Sequence, residues 1–101
     1  MNAIAEKLHL LETVARNDAL LASMLDKVLG AVADQYRQKL SGYRNKLLEL
    51  EVRHGMSTDE FMKRFEAGDL GDADEWFDWD AIAALKTEAE RKLGELERAG
   101  V

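Results

Sequence analysis

Apolar positions recur along the chain with helical spacing. From Ala22 to Leu50 one stripe runs through Leu25, Leu29, Val32, Tyr36, Leu40, Tyr43 and Leu47 in steps of three and four. At about 100° per residue these positions share a narrow face, so the pattern predicts one long amphipathic helix. Backward, the stripe continues through Val14, Leu11 and Ile4, with Asp18 intruding at its centre. Asn17 or Asp18 would also cap a new helix, so a break near residue 17 is expected, with one continuous helix as the alternative.

The long helix should stop at His54-Gly55, because glycine just past the last apolar position is a C-terminal signal. A short helix follows near 58–67. Ser57 with Glu60 forms a capping box, and Met56 with Phe61 a hydrophobic staple. The last helix should begin between 73 and 80, capped by Asp72 with Glu75, or by Asp78 or Asp80, and end near 98. Its stripe is Ile82, Leu85, Ala89, Leu93 and Leu96. No period-two runs of β-branched and aromatic residues occur, and proline is absent. The expected fold is therefore all-α, a single domain of 101 residues packed as an elongated helical hairpin or bundle. It divides into a helical arm (1–55), an acidic aromatic connector with a short helix (56–80) and a C-terminal helix (81–101).

Two features do not fit one neat bundle. A helix from Asp18 to His54 would be ~55 Å long, against a ~13 Å radius of gyration for a compact globule of this size. A last helix half that length would leave apolar stripe uncovered. This predicts a homodimer along Leu25, Leu29, Val32, Tyr36, Leu40, Tyr43, Leu47 and Leu50. Second, one helix face cannot bury Trp76, Phe77 and Trp79 together. That segment either folds irregularly under the bundle or stays partly exposed for a partner.

Charge sharpens the second point. The formal net charge is -6, but residues 1–55 and 81–101 are close to balanced. Nine of the twenty acidic residues lie within 56–80, beside only Lys63 and Arg64. The candidate partner-binding segment is therefore Asp69, Leu70, Asp72, Asp74, Glu75, Trp76, Phe77, Asp78, Trp79 and Asp80, offered to a basic protein. A solubilising acidic turn is the plainer reading of the same residues.

No catalytic, metal or cofactor site is expected. His9 and His54 do not form a zinc-helix spacing, and His54 is simplest as a helix-end residue favoured by the dipole. The acidic run fails as a calcium loop, because Trp76 takes the third ligand position counted from Asp72 and the turn glycine is missing. Gly68 and Gly71 lack the Lys-Ser/Thr of a phosphate loop. Arg37, Lys39, Arg44 and Lys46 beside Tyr36 and Tyr43 raise a nucleic-acid reading. The overall charge and the lack of a helix-turn-helix argue against it. With no cysteine, no signal-peptide core and no membrane-length apolar run, a cytoplasmic location is expected.

Residues 43–85 resemble a pattern in small prokaryotic proteins. It is carried by Glu51-Val52-Arg53-His54-Gly55-Met56-Ser57, Glu60-Phe61, Phe65-Glu66, Gly68-Asp69-Leu70-Gly71-Asp72 and the acidic, Trp-containing segment after them. Some of those proteins are similar to the antitoxin half of toxin–antitoxin pairs. The resemblance implies a long helix before the motif and a basic toxin as partner. It assigns no individual functional residues, and the operator-binding module of many antitoxins is not visible here. The competing functions are a protein-binding module, a structural coiled coil and a helical nucleic-acid-associated regulator.

Overall fold

The computed structural model describes residues 2–16 and 18–101, and is helical throughout, without strands among those residues. Four helices follow in order: α1 (Ala3–Val14), α2 (Ala19–His54), α3 (Thr58–Glu66) and α4 (Asp74–Arg98). α2 and α4 pack along each other as an antiparallel hairpin, with α3 folded against the start of α4. The molecule measures 58 × 27 × 18 Å, with a radius of gyration of 19.4 Å, so it is elongated as its helix lengths require.

The break between the first two helices falls where Asp18 caps α2. Its carboxylate accepts from the Leu21 N–H at 3.0 Å. Asn17, the other candidate cap, lies outside the described residues. α2 then runs 36 residues to His54. It ends at Gly55, whose φ of 64° is the left-handed conformation that L side chains resist. Ser57 caps α3 as expected, its hydroxyl accepting from the Glu60 N–H at 3.1 Å. The reciprocal half of the capping box is not made. Glu60 pairs forward with Arg64 at 3.0 Å, and the Thr58 N–H, a separate first-turn donor, is satisfied by Glu51 of α2 at 2.7 Å. That bond ties the α3 start to the α2 end.

α4 starts at the early limit of the expected range. None of Asp72, Asp78 and Asp80 caps it. Ala73 occupies the N-cap without a side-chain bond, and Asp74 and Glu75 lie in the first turn, where the positive end of the helix dipole favours them. The early start makes α4 25 residues long. Its tail reaches far along α2, since Val101 lies where a side chain on Gly30 would touch it. This corrects the expected dimer seam. Leu40, Leu47 and Leu50 are buried inside the chain, and Leu29, Val32, Tyr36 and Tyr43 are half-buried along the same hairpin. Only Leu25 lies on the exposed stretch beyond it.

The packed faces follow a seven-residue rhythm. On α2 the inward positions are Leu29, Ala33, Tyr36, Leu40, Tyr43, Leu47, Leu50 and His54; on α4 they are Trp79, Ile82, Lys86, Ala89, Leu93 and Leu96. A strict 3.5-residue repeat drifts ~20° per heptad around a straight helix. The α4 face near Trp79 is therefore rotated from the face near Leu96. Leu85, expected in the core, is 49% exposed, and Lys86 lies half-buried in the seam instead. Ala33 and Ala89 are the buried small residues, one on each helix.

The core concentrates at one end. Leu47, Leu50, Phe61 and Trp79 form its buried centre, with Met56, Phe65, Leu70, Trp76 and Ile82 packed around them. The opposite end, α1 and the first turns of α2, holds no buried residue among those described.

Candidate functional site

The connector residues divide between core and surface by their helical position. Trp79 is fully buried. Its ring stacks on Phe61, with centroids 4.1 Å apart and planes within 3°. Its indole N–H donates to the Thr58 hydroxyl at 3.1 Å, so the buried polar atom is satisfied. Trp79 is thus a core residue, and a partner cannot reach it as an anchor. Trp76 is half-buried, against His54 (4.7 Å) and Phe61 (5.9 Å). Phe77 points outward, 53% exposed, with only an edge-on contact to Phe65 at 5.4 Å. One helical face indeed does not hold all three rings.

Beneath Trp76 and Trp79 lies a polar junction that links the end of α2 to the first turn of α4. Arg53 donates to a Glu75 carboxylate oxygen at 2.6 Å, and Nε2 of His54 lies 3.1 Å from the same oxygen. That contact falls outside good hydrogen-bond geometry, and His54 Nε2 has no other hydrogen-bond partner among the described residues. The contact with His54 first, and Arg53 second, holds the Glu75 carboxyl below its ordinary range. Glu75, expected as a partner-binding carboxylate, is therefore engaged within the chain. His54 is more than a helix-end residue, since its ring stacks on Trp79 at 5.6 Å.

The remaining acidic residues behave differently. Of the nine carboxylates in 56–80, Glu60 and Glu75 are ion-paired. Asp59, Glu66, Asp69, Asp72, Asp74, Asp78 and Asp80 have no cationic partner among the described residues, and all but the half-buried Asp80 are exposed. On α4 beyond residue 81, by contrast, three of the four carboxylates, Glu88, Glu90 and Glu95, are paired, and Glu97 has no ion pair among the described residues. Leu70 is half-buried and braces the turn against the core. A groove of about 610 Å³ opens beside this end, between α2, α3 and α4, with Leu48, Glu51, Asp59, Met62 and Asp80 among its walls.

No protein-family model, curated protein or solved structure matches the chain. Its surfaces must be read on their own chemistry. Among the described residues no three His, Asp or Glu side chains converge as a metal site, and no helix is long and apolar enough to cross a membrane. The basic stretch of α2 is largely neutralised from within. Arg37 pairs with Asp34 at 2.8 Å, Arg44 with Glu90 at 3.7 Å and Lys46 with Glu49 at 3.6 Å, while Lys39 lies over the Tyr36 ring.

Proposed function

We propose that the protein is a binding module that captures a basic partner protein with its acidic end. The carrying observation is that seven carboxylates between Asp59 and Asp80 have no cationic partner among the described residues, in the same segment as the exposed Phe77. Elsewhere on the hairpin acidic side chains mostly find cations within the chain. Here the excess is left free, which raises the field toward a positive surface and speeds encounter with it. Phe77 supplies the apolar contact that an acidic rim alone lacks. With the resemblance noted for residues 43–85, the partner would be a basic toxin and the protein its antitoxin. Three of the four cations between Arg37 and Lys46 pair within the chain, which leaves the nucleic-acid alternative less free positive charge to use.

The test is affinity capture from the source organism at increasing salt, with the wild type beside an Asp72→Asn/Asp74→Asn/Asp78→Asn variant and Phe77→Ala. The expected result is a basic captured protein, capture that falls with salt, and at least a tenfold loss in the triple variant at unchanged thermal stability. Equal capture by the triple variant would remove the acidic end from consideration.

A further inference from the structure

The end opposite the acidic head shows an unmatched apolar surface. α1 carries Ile4, Leu8 and Leu11 on one face, and the start of α2 carries Leu20, Met24 and Val28 on another, all exposed. Residues 19–25 contain no charge. Leu20, Met24 and Val28 lie roughly 130° around α2 from the seam that meets α4, at 100° per residue. The start of α2 is therefore apolar over a wider arc than a single neighbouring helix can cover. At the elbow the two helices enclose an apolar groove of about 550 Å³, reached by Leu8, Leu11, Leu21 and Leu25.

Three observations identify what covers this surface. α1 has 12 residues and buries none of them; a helix that short is marginal in water unless its apolar face is packed. The large side chains exposed between residues 4 and 28, taken over both helices of the arm, leave on the order of 1,000 Å² of apolar surface open. That is the scale of the ~800 Å² per partner that a stable dimer covers. Charge then selects the occupant. Lys7, Arg16 and Lys27 stand against Glu6, Glu12, Asp18 and Asp26, so the arm is nearly neutral and mixed in sign while the head is strongly acidic. Two copies meeting arm to arm avoid the repulsion that a head-to-head or a parallel side-by-side pairing would bring. We infer that the arm, α1 with the first turns of α2, is the contact surface for a second copy of this chain, which lays its own arm into the elbow groove in a two-fold arrangement. This does not rest on the basic-partner reading, since the two surfaces lie at opposite ends.

Sedimentation of the full chain at micromolar concentrations tests it. The wild type should run as twice its 11.4 kDa mass, at low and high salt alike. Leu8→Asp/Leu25→Asp and, separately, Met24→Lys should shift the assembly to single copies, while Trp76 and Trp79 emission reports that the distant head remains folded. Phe77→Asp, at the other end, should leave the dimer intact. A wild type that sediments as one copy at 100 µM would overturn the inference, as would a dimer that survives both arm variants. Binding of the wild-type arm to phosphatidylserine vesicles with no dimer in solution would replace the second copy with a lipid surface.

Discussion

Trp79→Ala removes a fully buried aromatic ring of the head, which contacts both α2 and α3. The side chain is wholly buried, stacked on Phe61 and hydrogen-bonded to Thr58. Truncating a large buried aromatic costs ~3–5 kcal/mol. A chain of this size is held by only ~5–15 kcal/mol. At ~4–8 °C per kcal/mol for a small domain, Tm should fall by roughly 12–40 °C. Phe77→Ala should behave differently, because half of that ring is already in water; the area lost to packing corresponds to about 1–2 kcal/mol. Urea unfolding followed by far-UV circular dichroism measures both without relying on tryptophan emission. Trp79→Phe adds a finer step. It keeps most of the packing but leaves the Thr58 hydroxyl without its donor, for a further ~1 kcal/mol. Equal losses for Trp79→Ala and Phe77→Ala would refute the division of this segment into a core face and a surface face.

Two further outcomes follow from the packing and the polar junction. Glu75→Gln should destabilise the protein near neutral pH. Because the folded carboxyl is held below its unfolded value near 4.5, the stabilisation is complete above that value and is lost as pH falls through the lower folded one; the gap between wild type and variant in urea midpoints should therefore close in acid, and a gap that widens there would contradict the junction. The α4 register is checked by a pair of variants: Leu85→Lys should change stability by under ~0.5 kcal/mol, whereas Ala89→Leu should overpack the helix contact and cost ~1–3 kcal/mol, with the reverse order restoring Leu85 to the core.

Much of the fold was legible because its signals are local. Asp18 as a cap, Gly55 as a stop and Ser57 as a start each act within a turn of the chain, and each lies where its residue type demands. The start of α4 was not so legible. Five acidic residues between 72 and 80 could each serve as a cap or sit in a first turn, and the helix begins where Trp79 reaches the core, a tertiary demand that overrides capping preference. Leu85 was misplaced because a straight-helix projection ignores the drift of a seven-residue repeat. The Arg53–His54–Glu75 junction joins residues more than twenty apart in sequence, and no spacing rule reports such a contact. The second apolar stripe at Leu20, Met24 and Val28 was present in the sequence at helical spacing, but the longer seam beside it accounted for the same segment and hid it.

The two ends of the molecule solve opposite problems, and their separation joins the two proposals. A surface meant for a basic partner must keep its carboxylates unpaired, and a surface meant for a second copy must keep like charge away. The screening length is ~8 Å at physiological salt, so exposed charges farther apart than that interact weakly. A molecule 58 Å long places the acidic head many screening lengths from the arm, so association at one end is insulated from repulsion at the other. A two-fold pair joined at the arms would carry two acidic heads at its outer ends. A partner that is itself dimeric could engage both, and the second contact would then be intramolecular and tighter without any new interaction. If both proposals hold, the elongated α2 would act as a spacer between the two contacts.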